Sequence, residues 1–170
     1  VLLGDPSPDY FGGFFTKVSY KSFTLSSEFT YSKGNMAYNA VRRNLESLSS
    51  FGNQSAAVEN RWSLEGQVTD IPRAQWNDPM GNSIFSSRWI EDASFIRMKN
   101  ITLSYDFEKR LFNFIRSGTL YITGENLLTI TDYLGMDPEF SYSRSTNVQG
   151  FDLAKLVQPR VIKFGVNLQF

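Results

Sequence analysis

The stretch Phe14-Phe15-Thr16-Lys17-Val18-Ser19-Tyr20-Lys21-Ser22-Phe23-Thr24-Leu25-Ser26-Ser27-Glu28-Phe29-Thr30-Tyr31-Ser32 alternates with a period of two on both sides of Lys21-Ser22. Period two is the repeat of a β-strand, whose successive side chains point to opposite faces. Before the turn, Phe14, Thr16, Val18 and Tyr20 share one face, and Phe15, Lys17 and Ser19 the other. After it, Phe23, Leu25, Ser27, Phe29 and Tyr31 lie opposite Thr24, Ser26, Glu28, Thr30 and Ser32. The pattern predicts a β-hairpin over 14–20 and 23–32 with one aromatic-rich face and one hydroxylated face.

The same period recurs along the chain. It is most regular at 160–170, where Ile162, Phe164, Val166, Leu168 and Phe170 alternate with Val161, Lys163, Gly165, Asn167 and Gln169. A strand over 119–130 carries Leu120, Ile122, Leu128 and Ile130 on one face, interrupted at Gly124 and Asn126. In a strand over 94–106, Ile96 and Met98 share one phase, and Ile101, Leu103 and Tyr105 the other. A β-bulge at Lys99-Asn100 accounts for that slip. Helical spacing predicts short helices in two connections. One covers 36–48, with Asn35 as its N-cap; the other covers 108–117, ended by Gly118 as a C-cap.

The connections divide sharply by length. Lys21-Ser22 and 108–118 are short, whereas 33–92 and 132–159 are long and hold Trp62, Trp76 and Trp89. Short turns on one side and long loops on the other is the architecture of an outer-membrane β-barrel. With the C-terminus periplasmic, the last strand runs inward and both long loops are extracellular. Five strands do not close a barrel, and hydrocarbon does not tolerate unpaired sheet edges. The chain therefore reads as all-β, the C-terminal antiparallel strands of a larger transmembrane barrel, with the rest of that barrel as its immediate partner. The rival is a secreted, soluble β-sandwich that binds carbohydrate, because alternation alone suits either.

Composition excludes whole chemistries. The 170 residues balance 17 Lys+Arg against 17 Asp+Glu, which argues against a nucleic-acid binder. With neither Cys nor His, a thiolate or imidazole metal site, a Ser-His-Asp triad and a Cys nucleophile all go. Glu91-Asp92, and Asp137 with Glu139, are the close carboxylate groupings. They read as loop caps and turn openers rather than a catalytic pair. No enzyme activity, cofactor or metal is expected.

Lys17, Glu28, Arg97, Glu125 and Lys163 fall on the inferred lumen face. They line a substrate path, meet a plug, or simply pair with one another along a wetted wall. Trp62, Trp76 and Trp89 are candidates to stack on a ligand, set against packing within their own loop. Arg42 and Arg43 are candidates to meet a partner or lipopolysaccharide phosphates, set against a solvated helix face.

Several motifs resemble SusC/RagA-type TonB-linked outer-membrane transporters of Bacteroidetes. Gly4 to Phe14 (GDPSPDYFGGF) resembles that family's GDxNPxxxGGF stretch, and Ile90 to Tyr105 (IEDASFIRMKNITLSY) its IEDGSFLRLKNVTLGY. Leu120 to Tyr133 (LYITGENLLTITDY), Gly135 to Glu139 (GMDPE) and Pro159 to Phe170 follow in the family's order. Ala93 stands where Gly is usual, and Met98 where Leu is usual. The resemblance implies a barrel of roughly 22 strands around a plug that precedes residue 1. It implies active import of glycans or peptides with a SusD-like surface lipoprotein, energised by TonB through the missing N-terminal part. It also implies that Phe164, Val166, Leu168 and Phe170 are the signal read by the barrel-assembly machinery.

Overall fold

The structure is a computed structural model that describes residues 3–107, 115–139 and 148–170. In chain order the elements are β1 (Tyr10–Tyr20), β2 (Phe23–Lys33), β3 (Met36–Asn39), α1 (Ala40–Glu46), β4 (Ile90–Asp92), β5 (Phe95–Phe107), β6 (Ser117–Thr131), β7 (Phe151–Asp152) and β8 (Val161–Gln169). Short 3₁₀ turns occur at Ala56–Asn60 and Ser87–Trp89. They form two compact units. One holds Pro8–Gly34, Ser94–Asp132 and Val157–Phe170; the other holds Val1–Ser7, Asn35–Ala93 and Tyr133–Leu156.

The first unit is a five-stranded antiparallel meander in the order β1-β2-β5-β6-β8. Its register places like with like across the sheet. Val18 faces Leu25, Leu25 faces Leu103, Leu103 faces Ile122, and Ile122 faces Phe164. Directly opposed apolar and aromatic side chains are the unit of sheet stabilisation, each pair contributing roughly 0.2–1 kcal/mol.

A bulge interrupts the register where the sequence slips phase. Glu28 pairs with Asn100 and Phe29 with Met98, so Lys99 has no opposite number on β2. On the other side Met98 pairs with Leu128 and Asn100 with Glu125, with Asn126 in a left-handed conformation at φ 53°. The extra residue turns Ile96 and Met98 onto the same face as Ile101, Leu103 and Tyr105.

All long connections leave one end of this sheet. Ser32 pairs with Phe95 and Phe95 with Thr131, so β2 ends, β5 begins and β6 ends side by side. Ser94 ties these ends together. Its Oγ accepts from the Gly34 amide at 3.0 Å, and its carbonyl accepts from Thr131 Oγ1 at 2.7 Å. The Lys21-Ser22 turn, the end of β5 at Phe107 and the start of β6 at Ser117 belong to the opposite end.

The second unit has its own small core. β3 pairs antiparallel with β4 and parallel with β7. Tyr38, Ala40 and Trp89 are buried together against Ile90 and Phe151, and Leu48, Val58 and Ile71 form a separate cluster.

Two helix expectations need correction. Residues 36–39 are strand, and α1 begins only at Ala40, capped by Asn39 rather than Asn35. The Asn39 side-chain oxygen accepts from the Arg42 amide at 2.8 Å. The helical spacing of Met36 and Val41 is overridden by distant strand partners at 90–92 and 151–152. The helix expected over 108–117 lies at 108–114 outside the described residues. Ser117 and Gly118 open β6, where Gly118 pairs with Phe107 and Leu168, so it caps no helix.

Ser94→Ala leaves the Gly34 amide without its acceptor. That amide should exchange with solvent on the order of tenfold faster, while the amide of Leu103 is unchanged. Residue-resolved hydrogen exchange on the full-length protein checks this.

Candidate functional site

The sheet unit carries two chemically opposite faces. On one, Phe14, Val18, Leu25, Phe29, Leu103, Tyr105, Leu120, Ile122, Phe164, Val166 and Leu168 form continuous cross-strand rows. These rows are open to the surroundings, with Phe164 78% and Val18 66% exposed. A sandwich would bury such a face in a dry core. A contiguous exposed apolar patch of this extent marks contact with lipid or another protein.

Aromatic rings border the face at both ends. Tyr10 and Tyr31 meet edge to face at one end; Tyr20, Phe23 and Tyr105 gather at the other. From Tyr10 to Tyr20 the strand rises roughly 33 Å, and a tilt of about 40° foreshortens this to about 25 Å. That matches the apolar band between the aromatic girdles of an outer-membrane barrel, about 25 Å tall. Thr16 and Ser27 interrupt the face, but they stand directly opposite and hydrogen-bond to each other at 2.7 Å. Neither hydroxyl meets hydrocarbon alone, which would cost several kcal/mol per group.

The other face is polar. The register puts Lys17, Glu28, Arg97, Glu125 and Lys163 on it together. Asn100 donates to Glu28 at 2.6 Å, Lys163 pairs with Glu125 at 2.5 Å, and Arg97 Nε donates to Thr129 at 3.0 Å. Thr102 and Thr123 share a hydrogen bond, and Thr119 donates to Asp106. Arg97 itself is buried, 4% exposed. Exposed ion pairs such as Lys163–Glu125 contribute about 0–1 kcal/mol each, so their effect is to keep the face wet rather than to hold the fold. On this face Tyr121 lies flat across Gly165, its direct partner, where a Cβ would come within 2.1 Å of the ring.

In the second unit the candidate loop residues divide. Trp89 is a core residue: it is 0% exposed and its Nε1 donates to the Ile84 carbonyl at 3.1 Å. The guanidinium groups of Arg42 and Arg88 both lie over its ring. Arg42 is not on a solvated face. It pairs with Glu46 at 3.0 Å and with Glu91 at 2.8 Å. Burial alone would lower its pKa, but the bond to Glu91 and the charge of Glu46 outweigh that and raise it. Among the described residues Arg88 has no such bonded carboxylate, and burial together with Arg42 lowers its pKa. Arg43 donates to the Ser83 carbonyl at 2.6 Å. Trp62 is half-buried under Arg73.

Only Trp76 of the three tryptophans is largely exposed, at 66%. Phe51, 94% exposed, stacks on it at 4.6 Å, a residue the sequence analysis did not single out. The Gln75 and Asn77 amides bond to the Leu48 and Ser49 carbonyls, which sets the two rings side by side.

Glu91 emerges as the hub of this unit. Besides Arg42 it accepts from Asn39 and from the Leu134 amide at 3.0 Å, joining segments distant in sequence. Next to it, Tyr133 donates to Asp152 at 2.6 Å, and burial pushes its phenol well above the ordinary range, so it stays protonated. Asp137 accepts from the Glu139 amide in a local turn. Among the described residues, no three carboxylates gather to hold a metal ion.

No family model matches the sequence. Curated relatives do. TonB-dependent receptor P26 of Formosa agariphila is 35% identical over all of this chain and 18% of its own length. TonB-dependent receptor P3 of the same organism is 32% identical over 99% of the chain and 17% of its length. TonB-dependent receptor SusC of Bacteroides thetaiotaomicron is 27% identical over 97% of the chain. Among solved structures, the RagAB peptide importer in its closed-closed state matches at a TM-score of 0.80 and 27% identity, over 96% of this chain and 17% of that one. The chain spans less than a fifth of the length of the relatives it matches.

Glu91→Ala removes the partner of a half-buried cation and the acceptor of a backbone amide. It should destabilise the second unit by about 3 kcal/mol. Limited proteolysis of the full-length protein should then cut within 49–86 faster than in wild type, with cleavage of the sheet unit unchanged.

Proposed function

We propose that this chain, similar over its whole length to TonB-dependent receptors, is a section of the barrel wall of a SusC/RagA-type active outer-membrane importer of glycans or peptides. The observation that carries this reading is the exposed apolar face, bordered by aromatic rings and backed by a polar face on the same five strands. The apolar face lies in lipid. The polar face, with Lys17, Glu28, Arg97, Glu125 and Lys163, lines the water-filled interior, where it meets substrate or plug. The relatives are receptors and importers rather than enzymes, which supports a transport role.

The outer edges of β1 and β8 are unpaired within this sheet. In a bilayer every orphan N–H and C=O costs several kcal/mol, so further strands of the same receptor close both edges. Before closure, the apolar row of β8 (Phe164, Val166 and Leu168, with Phe170 beyond it) stands on an open edge. In our reading it is the pattern the assembly machinery recognises there. The end of the sheet with the Lys21-Ser22 turn is periplasmic, and the segments 33–92 and 132–159 are extracellular, as in barrels with short periplasmic turns. The extracellular segments receive a SusD-like lipoprotein, with the exposed Phe51–Trp76 stack as their most open aromatic surface. TonB acts through a plug contributed by other parts of the receptor.

Two outcomes check this. Protease added to intact cells should cut within 33–92 or 132–159 and spare Lys21-Ser22; cleavage confined to permeabilised cells contradicts the orientation. Leu103→Lys, on the lipid side, should lower barrel stability in vesicles by about 2–4 kcal/mol. Its neighbour Thr102→Lys, on the lumen side, should change it by less than about 1 kcal/mol. Urea unfolding followed by gel mobility measures both.

A further inference from the structure

The apolar face of the sheet carries a hollow. Phe23, Tyr105 and Leu120 on one cross-strand row, and Leu103, Ile122 and Phe164 on the next, line an open apolar depression of about 300 Å³. That volume is at the lower end of the roughly 300–1,000 Å³ of ligand sites. Its walls come from β2, β5, β6 and β8, which are consecutive in the sheet. Further strands can add only beyond β1 and β8, so no part of a barrel wall covers it. What fills it comes from outside the wall.

A cation stands at its turn end. Lys21 is held in a left-handed turn conformation at φ 53°, two residues before Phe23. Its ammonium lies 5.4 Å from the centroid of the Tyr20 ring, which belongs to the apolar face. The charge is therefore held on the same side of the sheet as the depression. It is exposed and has no ion pair among the described residues.

Resting on the reading of this face as membrane wall, we infer that the depression and Lys21 form a seat for one glycerophospholipid of the leaflet that adjoins the short turns. An acyl chain lies between the Phe23–Tyr105 pair and Phe164, over Leu103, Leu120 and Ile122, and the phosphate meets Lys21. A concave site with a cation at its membrane-surface end fits a chain with an anionic head. A second barrel docking here would need complementary contact over about 1,000 Å² or more, which a hollow with one charge at its rim does not offer.

The test is native mass spectrometry of the full-length receptor, extracted in mild detergent and supplied with phosphatidylglycerol. Wild type should retain one lipid through activation that strips the rest. Ile122→Trp fills the depression and should lose it; Ile130→Trp, on the same face but outside the depression, should keep it. Lys21→Gln should weaken phosphatidylglycerol retention about fivefold. Equal retention by wild type and Ile122→Trp overturns the seat. So does a wild-type dimer of receptors that Ile122→Trp dissolves without changing lipid retention, since the occupant is then a second copy. Gel mobility before and after heating reports barrel closure separately. A closed barrel without a retained lipid overturns the seat alone, whereas a receptor that never enters the membrane overturns the wall as well. Should Ile122→Trp fail to assemble, a diazirine-bearing phosphatidylglycerol on wild type decides. Labelling concentrated on peptides around Leu103 and Ile122 supports the seat, and even labelling of the whole face overturns it.

Discussion

The structure depends on one constraint: every backbone N–H and C=O of the long strands must pair with a neighbour, and the register that pairs them also sorts the side chains. Slipping any strand by one residue would exchange its apolar and polar sets. Val18, Leu25, Leu103, Ile122 and Phe164 come from five strands spread over most of the chain, yet they stand in one row. Register is specified here more strongly than in a sheet with two polar faces, because an error exposes Lys163 or Glu125 to hydrocarbon while hiding Phe164 from it. The bulge at Lys99 serves the same end. Without it, the two halves of β5 would present their apolar residues to opposite sides.

The meander was legible in the sequence because its information is local. A period of two can be read within any one strand, and the phase slip between Met98 and Ile101 is visible without knowing what lies opposite. The segments between strands are another matter. Met36 and Val41 have helical spacing, but 36–39 are drawn into a strand by partners more than fifty residues away. For Trp89 the sequence offered ligand stacking or packing within its own loop, and its burial follows from Tyr38, Ala40 and Phe151, none of them near it in sequence. Glu91 was visible as a carboxylate in a loop. Its office as the acceptor for Arg42, Asn39 and Leu134 was not, since nothing local links those positions. Phe51 carried no signal at all: its role arises from the ring it meets.

Charge is handled differently in the two units. On the polar face of the sheet, pairs such as Lys163 with Glu125 are solvent-exposed, and either partner keeps water as an alternative. Around Trp89 the carboxylates of Glu46 and Glu91 are nearly buried, and Arg42 is their counter-ion. Removing one partner there strands a charge away from water, whereas removing Lys163 or Glu125 does not. The same pair of residue types is thus a wettable coating in one place and a structural pin in the other.

The Ser94 tie has a consequence for how such a chain can diverge. The ends of β2, β5 and β6 are fastened to one another through Gly34, Ser94 and Thr131, all within the sheet's own unit. Strand alignment is therefore settled without help from whatever the chain does between Gly34 and Ala93. Lengthening, shortening or exchanging that segment leaves the wall's register intact. Mutation is then free to explore recognition on one side of the tie while the membrane-crossing part stays under selection for a single solution. Relatives built this way could trade whole loop segments by recombination at the tie and still insert.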